Sequence, residues 1–401
     1  MKRLLVFILA LVCVFSVSCA KNDGDILPQD TDNADTLSEI KQEEPEQKIE
    51  YKKISFLGAG DNIVYSGTVR DAKKNATSGG REHDFKPIYT DVAELIKNAD
   101  ISYINQETLM CGDGYEFTYY PTFNGPQDMG YDLVELGFDV VGIANNHMLD
   151  KGSAGLGKTI EFWDKLPVTL VGGYKNIEDY RTIRVHEEQG IKIAFLAYAE
   201  HTNGIYPSKN YDIHIPYLNE ANIKEEVAKA KDIADLVFVS VHWGEEGAFK
   251  PNDLQKGYAK QFADAGVDVI IGHHPHVIQP VEWIEGSFGN KTLCVYSLGN
   301  FMAEQAYSYN MVGGMISFDI VSVTGSKPYI ENVIFIPTVF DWGTAFYNNR
   351  VYILEEYTEE QAKNHGIKSY GRSTSLSQLR GYVSSTISDE FLSESYLNAA
   401  S

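Results

Sequence analysis

Cysteine is scarce in this sequence, with four cysteines among 401 residues. Cys111 and Cys294 are the two that lie beyond the first fifty residues. An exported protein could join them in a disulfide. Cys294 lies inside an apolar, strand-like run, which equally favours a buried free thiol. The sequence leaves both alternatives open.

Positive charge is also in short supply. The chain has 34 lysines and arginines against 56 aspartates and glutamates, which gives a formal net charge of -22 at pH 7. An acidic surface repels phosphate backbones, so we expect no nucleic-acid partner. The same surface favours cations, whereas net charge says little about the fold.

The chain begins with an apolar run, residues 4–17, that is too short for a comfortable transmembrane span. Lys2 and Arg3 precede the run, and Cys19 follows small residues, a pattern that resembles a bacterial lipoprotein signal over residues 1–19. We therefore predict an extracytoplasmic protein that is anchored to the bacterial cell membrane by a lipid on Cys19. A plain secretion signal with an incidental cysteine is the alternative.

Residues 20–50 have a different composition from the rest of the chain. They are rich in Asp, Glu, Gln, Asn and Lys, and they contain no aromatic residue. Such a segment cannot bury enough apolar surface to offset the entropy lost on ordering. We predict a disordered acidic tether between the lipid anchor and a folded domain, with an N-terminal helical extension as the alternative.

Short apolar runs and helix-like stretches alternate from residue 51 onward. The runs are rich in Val and Ile, which suits buried strands. The alternation predicts an α/β domain with largely parallel strand pairing. The predicted strands are at 54–57, 101–104, 140–143, 168–171, 193–197, 236–241, 267–271 and 293–296. The predicted helices, with apolar residues three and four apart, are at 91–98, 155–166, 222–234 and 254–265.

The alternation weakens toward the C-terminus. After about residue 346 the sequence has polar, Ser- and Thr-rich stretches with modest helical patterns. We therefore place the main domain at residues 51–345 and predict a partly helical C-terminal appendage at residues 346–401.

Metal-type ligands directly follow five of the predicted strands. The carboxyl ends of strands in an open α/β sheet form the binding crevice, so these side chains should converge. Carboxylates, imidazoles and a carboxamide together suit one or two divalent ions among Mn, Zn, Fe and Mg. The most specific cluster is residues 273–276, where three histidines in four positions follow a fully apolar strand. The candidate ligands are Asp61, Glu107, Asn146, His242, His274 and His276.

The order of these clusters resembles the bacterial capsule-synthesis CapA family, also called the poly-γ-glutamate synthesis family. That family is a branch of the calcineurin-like metallophosphoesterases. The matching segments are Gly-Asp at 60–61, Asn-Gln-Glu at 105–107, Asn-Asn-His with Asp at 145–150, Val-His-Trp-Gly at 241–244, Gly-His-His-Pro-His at 272–276 and Tyr-Ser-Leu-Gly-Asn-Phe at 296–301. The resemblance covers roughly residues 53–340 and implies a metallophosphoesterase-like sandwich of mixed β-sheets flanked by helices.

The resemblance also implies roles for individual residues. Asp61 matches the first metal ligand, and Glu107 stands where metallophosphoesterases have a bridging Asp. His147 matches the histidine that assists the leaving group, and Asp150 could orient its imidazole. Ile63 stands where the usual Asp-x-His motif has its histidine. Further residues expected to support the ligands are Asn62, Asn105, Asn145, His273, Glu245 and Asn300.

Two functions are compatible with these features. The first is a metal-dependent hydrolase or transferase that acts on a cell-surface polymer, for which the family implies an anionic polyamide such as poly-γ-glutamate. The alternative is a non-catalytic metal- and polymer-binding subunit that accompanies membrane-embedded synthesis or export subunits. A purely structural α/β module is a third reading, which the histidine run at 273–276 disfavours.

Overall fold

The computed structural model describes residues 49–400, apart from the side chain of Thr344. The predicted lipoprotein signal at 1–19, its Cys19 and nearly all of the predicted tether at 20–50 lie outside the described residues. Within the described range, no helix combines the length and the apolar character needed to cross a bilayer.

Strands and helices alternate through the first two thirds of the described chain. The strands are β1 (Tyr51–Asn62), β2 (Ile101–Gln106), β3 (Val140–Gly142), β4 (Thr169–Val171), β5 (Arg184–Glu188), β6 (Ile191–Ala199), β7 (Leu236–His242), β8 (Val269–His273), β9 (Val281–Glu285), β10 (Lys291–Val295), β11 (Asn300–Met302), β12 (Val312–Val323), β13 (Tyr329–Asp341) and β14 (Arg350–Ile353). The helices are α1 (Ser66–Asn75), α2 (Ala93–Asn98), α3 (Asp128–Leu136), α4 (Gly152–Trp163), α5 (Ile177–Arg181), α6 (Ile223–Lys231), α7 (Asp253–Ala265), α8 (Glu359–Asn364), α9 (Leu376–Ser384) and α10 (Glu394–Ala400).

The strands form two mixed sheets. In the first, the order is β14-β13-β12-β1-β2-β3-β4, and β11 pairs in parallel with the end of β1. Strands β1 to β4 pair in parallel, whereas β12, β13 and β14 extend the sheet in antiparallel fashion. The second sheet has the order β5-β6-β7-β8-β10-β9, with parallel pairing from β6 through β7 and β8 to β10. The predicted α/β architecture of mixed sheets flanked by helices is confirmed.

Aromatic side chains pack the two sheets against each other. Phe56 of β1 stacks on Phe318 of β12 with 4.7 Å between ring centroids. It also meets Phe238 of β7, in the second sheet, edge-on at 5.3 Å. Burying each such ring contributes about 1.5–3 kcal/mol, so this contact fixes how the sheets face each other. Both sets of parallel strands then end at the same edge of the sandwich.

Helix α7 connects β7 to β8, two strands that carry candidate ligands, and its two ends are defined by local sequence. Asn252 accepts a hydrogen bond from the backbone of Gln255, and the Gln255 side chain accepts one from the backbone of Asn252. This capping box starts the helix. Gly266 ends it with φ of +93°, a left-handed conformation that costs glycine little. The chain is thereby turned directly into β8.

Each of the eight predicted strands and four predicted helices overlaps an observed element of the same type. The long antiparallel pair β12 and β13 was not predicted, although β12 is the direct neighbour of β1. Cys111 and Cys294 are both buried and unpaired in the described structure.

Residues 346–400 pack on the main domain. Strand β14 pairs with β13, which makes it the last strand of the first sheet. Leu379 and Val383 of α9 are buried in the same apolar cluster as the strands of that sheet. The structure therefore joins this segment to the core of the sandwich.

Candidate metal centre

The strand register brings the predicted ligands together at one edge of the sandwich. Asp61, near the end of β1, lies opposite Asn105 of β2 and opposite Asn300 of β11. In the second sheet, His242 of β7 lies opposite His273 of β8. Residues that are far apart in sequence thus become neighbours because parallel strands end together.

Glu107 directly follows β2 and is only 1% exposed. Within the described part of the chain, neither of its carboxylate oxygens has a hydrogen-bond partner. Its Oε1 lies 3.6 Å from Nε2 of His242, 3.8 Å from Nε2 of His276 and 3.9 Å from Nε2 of His147. These separations are too long for hydrogen bonds. Burial raises the pKa of Glu107 to about 7.

Asp61 is equally buried, but its carboxylate is surrounded by donors. It accepts hydrogen bonds from Nδ2 of Asn105 at 2.8 Å and from the backbone N–H of His274 at 3.3 Å. Nδ1 of His273 lies 3.0 Å away, and Nδ1 of His276 lies 3.2 Å away. Burial alone would raise the pKa of Asp61, yet the contacts with His273 and His276 hold it well below its usual range.

His276 connects the two carboxylates. Its Nδ1 also lies 3.1 Å from Oδ1 of Asn300, and its backbone carbonyl accepts a hydrogen bond from Asn310 at 2.9 Å. Burial alone would lower the pKa of His276, but the charges of Glu107 and Asp61 raise it to about 9. The ring is therefore held in place on its Nδ1 side, while Nε2 faces Glu107.

His242 and His274 supply two neutral imidazoles. Their ring centroids are 4.7 Å apart, and burial lowers the pKa of both well below the usual range. Nε2 of His242 and Nδ1 of His274 are buried without a partner among the described residues. A neutral imidazole with a free nitrogen is the form that binds metal ions.

The turn after β8 holds two histidines in left-handed backbone conformations. φ is +97° at His274 and +54° at His276. Such conformations cost a residue with a Cβ about 1–3 kcal/mol each and are typical of functional sites. With these backbone conformations, the imidazoles of His274 and His276 lie close enough to each other to belong to one group of candidate ligands.

Glu246 joins this arrangement from the loop that follows β7. Ligand atoms of Glu246, His274 and His276 lie within 4.8 Å of one another, and so do those of Asp61, Glu107 and His276. The two groups share His276. Sequence reasoning selected the adjacent Glu245; both glutamates are exposed, but only Glu246 brings a ligand atom close to the two histidines. Two glutamates follow each other in this loop, and the sequence pattern alone does not say which one approaches His274 and His276.

His147 is oriented on one side by Asp150, with 2.7 Å between His147 Nδ1 and Asp150 Oδ2. Asp150 is held in turn by the backbone N–H of Phe123 at 2.6 Å, and the Phe123 ring meets the imidazole edge-on at 4.7 Å. The backbone N–H of His147 donates to Oδ1 of Asn145 at 3.0 Å. Nε2 is thereby left facing Glu107.

Asn146 is buried beside this histidine. Its Nδ2 donates to Oδ1 of Asn203 at 3.3 Å. Its Oδ1 has no partner in the part of the chain that the structure describes, so the amide oxygen is available as a neutral ligand. Asn145 is anchored through Nδ2 to the backbone carbonyl of Gln106 at 3.2 Å.

The side chains of the two residues after Asp61 have partners other than the candidate ligands. Asn62 donates to Oε1 of Gln106 at 2.7 Å and accepts a hydrogen bond from the Tyr89 hydroxyl at 2.5 Å. Both ends of its amide are therefore engaged in the core rather than with a predicted ligand. Ile63 packs in a small apolar cluster with Phe123.

Sequence reasoning missed two residues that support His273. The Tyr103 hydroxyl lies 3.2 Å from Nε2 of His273 and 2.6 Å from Oγ of Ser240. Tyr103 lies within the apolar run of β2 and Ser240 within that of β7. Only the packing of the two sheets against each other shows that they meet.

The donor set fits a divalent metal ion. Five buried side-chain atoms converge here without hydrogen bonds among the described residues, and leaving a buried polar group unpaired costs about 1–3 kcal/mol. One or two cations bound at the two overlapping ligand groups would offer these atoms partners. The atoms are both carboxylate oxygens of Glu107, Oδ1 of Asn146, Nε2 of His242 and Nδ1 of His274.

Known proteins resemble this chain in both sequence and structure. It is 33% identical over 191 residues to the capsule biosynthesis protein CapA of Bacillus anthracis, across 46% of this chain and 45% of that protein. It is 33% identical over 199 residues to the PGA biosynthesis protein CapA of Bacillus subtilis (strain 168), across 47% of this chain and 48% of that protein. The chain spans about half the length of the curated relatives it matches.

Two solved structures can be compared with the fold. One is the NAD nucleotidase of Haemophilus influenzae, with a TM-score of 0.41 and 14% identity, covering 87% of this chain and 59% of that one. The other is the calcineurin-like phosphoesterase YfkN of Bacillus subtilis, with a TM-score of 0.38 and 12% identity, covering 88% of this chain and 98% of that one.

The family model described as bacterial capsule synthesis protein PGA_cap matches residues 54–305. The match covers more than half of the chain and includes all six candidate metal ligands. This chain therefore belongs to the PGA_cap family of bacterial capsule synthesis proteins.

Proposed function

We propose that this protein is a metal-dependent hydrolase or transferase that acts on an anionic cell-surface polymer of the poly-γ-glutamate type. The observation that carries the proposal is the Glu107 carboxylate, which is buried, unpaired among the described residues and within 4 Å of three imidazole nitrogens. A buried carboxylate in this state is costly unless a cation or a proton neutralises it.

Side chains from both sheets would hold the metal. Asp61 and Glu107 provide carboxylates, His242 and His274 provide neutral imidazoles, and Asn146 provides a neutral oxygen. His276 and Glu246 complete the two overlapping groups. Mixed nitrogen and oxygen donors suit Zn, Mn or Fe. A bound divalent ion would supply Lewis acidity and would lower the pKa of a water ligand toward roughly 7.

His147 is the residue best placed to move a proton. Asp150 fixes the Nδ1 side of the ring, so Nε2 is the nitrogen that faces the centre. A proton held on Nε2 can be donated to a leaving group, or its charge can stabilise a developing anion. Phe123 packs against the ring and covers it on one side.

The polymer class is supported by the relatives. The matched proteins are called a capsule biosynthesis protein and a PGA biosynthesis protein. A polyanion would be repelled by a chain with a net charge of -22, so the metal centre is the natural point of attachment. The run at residues 4–17 and Cys19 support a location outside the cytoplasm on a lipid anchor.

Metal-dependent cleavage by the purified full-length protein tests this function. Protein loaded with Mn²⁺ or Zn²⁺ is incubated with poly-γ-glutamate and, in parallel, with a generic phosphodiester. We expect cleavage that needs metal and falls at least about 100-fold in His147→Ala. His186→Ala, which alters a histidine of β5 outside the centre, should retain activity. The proposal fails if metal-loaded protein cleaves neither substrate and His147→Ala leaves cell-surface polymer unchanged.

A second candidate function is a non-catalytic accessory subunit of a membrane synthesis or export complex. The observation in its favour is Ile63, which is buried in an apolar cluster where the family pattern of metallophosphoesterases has a histidine ligand. A relative from Mycobacterium tuberculosis, 25% identical over 231 residues, is called a probable polyglutamine synthesis accessory protein. Co-purification of membrane synthase subunits, together with normal polymer display by Glu107→Gln and His147→Ala, would support this function over catalysis.

A further inference from the structure

A cavity separate from the candidate metal centre lies beside β6 and the start of α6. None of the candidate metal ligands lines it. Its volume is about 240 Å³. Pockets for drug-sized ligands measure roughly 300–1,000 Å³, so this cavity suits a smaller molecule. Nothing in the proposed chemistry at Glu107 uses it.

Aromatic rings form one wall of the cavity. The rings of Tyr174 and Tyr180 meet edge to face, with centroids 5.1 Å apart at 78°. The imidazole of His214 lies against Tyr180, with centroids 4.2 Å apart at 34°. Burial lowers the pKa of His214, so this ring remains neutral near pH 7. The guanidinium of Arg184 already lies over the Tyr174 ring, with 5.3 Å between its Cζ and the ring centroid. Tyr180 and His214 are therefore the uncharged rings that the wall offers to a ligand.

A carboxylate, that of Glu226, also lines the cavity. Oε2 of Glu226 accepts a hydrogen bond from the Tyr198 hydroxyl at 2.5 Å, and Oε1 accepts one from the backbone N–H of Asn222 at 3.1 Å. The hydroxyl of Tyr180 also faces this carboxylate; burial and the Glu226 charge together raise the pKa of Tyr180. A carboxylate has lone pairs beyond these contacts, so Glu226 can accept from a ligand as well.

The remaining charges around the cavity largely cancel. Lys229 pairs with Glu225 at 2.6 Å on the exposed face of α6. Arg181 and Glu220 also line the cavity. Apart from the Lys229–Glu225 pair, the charged lining residues are Arg181, Glu220 and Glu226. One cation and two carboxylates give the cavity a net negative charge.

We propose that this cavity, defined by Tyr174, Tyr180, Tyr198, His214 and Glu226, binds a small organic cation such as an alkylated ammonium group. An ammonium over a tyrosine face is attracted by the negative centre of the ring. Glu226 neutralises the charge at the same point. The proposal does not depend on the function of the metal centre.

Isothermal titration of the full-length protein with choline tests the proposal. The matched probe is 3,3-dimethylbutan-1-ol, which has the shape of choline without its charge. We expect saturable choline binding and at least about tenfold weaker binding of the neutral alcohol. Glu226→Gln, which keeps the hydrogen-bond acceptor and removes the charge, should weaken choline binding by about tenfold. Tyr180→Leu should weaken it similarly through loss of the ring face.

Two controls separate this site from the rest of the molecule. Glu161→Gln removes a carboxylate from the exposed face of α4, where Glu161 pairs with Lys158 and does not line the cavity, and we expect an unchanged choline affinity. His147→Ala alters the metal centre and should also leave choline binding intact. Equal binding of choline and the neutral alcohol, or no saturable choline binding by folded wild-type protein, would overturn the proposal. Binding of a neutral sugar in place of choline would overturn it as well.

Discussion

Oε1 of Glu107 lies 3.6 Å from Nε2 of His242, and within residues 49–400 neither atom has a hydrogen-bond partner. Two buried polar atoms that face each other without bonding are unfavourable unless something fills the gap. Asp61, on the neighbouring strand, has the opposite environment, because four donor groups surround its carboxylate. We therefore expect Asp61 to stabilise the metal-free protein and Glu107 to destabilise it.

The contrast predicts different stabilities for two isosteric variants in the absence of metal. Asp61→Asn should lower the free energy of unfolding by about 3–5 kcal/mol, because it removes the charged partner of buried histidines. Glu107→Gln should be neutral or stabilising, because it removes an unpaired buried carboxylate. Urea unfolding in the presence of a chelator measures both. If both variants lost the same free energy of unfolding, the assignment of Glu107 as a metal ligand that is unpaired in the metal-free protein would be contradicted.

The loop after β7 allows a matched pair of variants. Glu246→Gln should weaken metal binding by about tenfold or more, because its carboxylate lies within 4.8 Å of ligand atoms on His274 and His276. Glu245→Gln should leave the affinity unchanged, because Glu245 belongs to neither group of candidate ligands among the described residues. Isothermal titration with Mn²⁺ and Zn²⁺ checks both, and thermal unfolding should show a smaller metal-induced rise in Tm for Glu246→Gln only. If Glu245→Gln weakened metal binding by the same amount, the effect would come from the overall charge of the loop, and Glu246 would not be a ligand.

Asp150 should control the tautomer of His147. A carboxylate oxygen accepts, so the 2.7 Å contact with Asp150 calls for a proton on Nδ1 and leaves Nε2 as the nitrogen that exchanges a further proton with a leaving group. In Asp150→Asn the side-chain amide can rotate to donate instead, which favours the Nε2–H tautomer. Nitrogen-detected NMR of labelled histidine reports this change directly. Metal-dependent cleavage should fall about 10–100-fold. An unchanged tautomer would show that Asp150 does not orient the ring.

Glu304 should make stability depend on pH. Its carboxylate accepts hydrogen bonds from the backbone N–H groups of Gly67 and Thr68 at the start of α1. Burial nevertheless raises the pKa of Glu304 from 4.5 to about 7. Between these values the folded state retains a proton that the unfolded state releases, so stability falls as pH rises through this window, by at most about 1.4 kcal/mol per unit.

Glu304→Gln does not titrate and should show a flatter profile. Urea unfolding at pH 4.5 and pH 7.5 compares the two proteins. The wild type should lose more stability than the variant between these pH values. A steeper loss in the variant would mean that the helix amides, rather than burial, dominate the environment of Glu304.

The sequence alone was sufficient for the α/β class, because runs such as 236–241 can bury their side chains only as inner strands of a covered sheet. It also indicated where a site should form, since the ligands follow strand ends and parallel strands end at a common edge. The order of the motifs led to the family. The strand β12 escaped detection because its glycines and alternating polar residues break the apolar run that marked the other strands.

Tertiary structure decided the features that depend on distances between side chains, which the order of motifs along the sequence does not specify. Nothing in the local sequence distinguishes Glu246 from Glu245, because the path of a loop is set by what it packs against. The unpaired state of Glu107 and the saturated state of Asp61 likewise arise from side chains on other strands. Sequence thus determined which groups reach the edge of the sandwich. Only the packing of two sheets decided which of them meet, because hydrogen bonds and metal coordination require contact within a few ångströms.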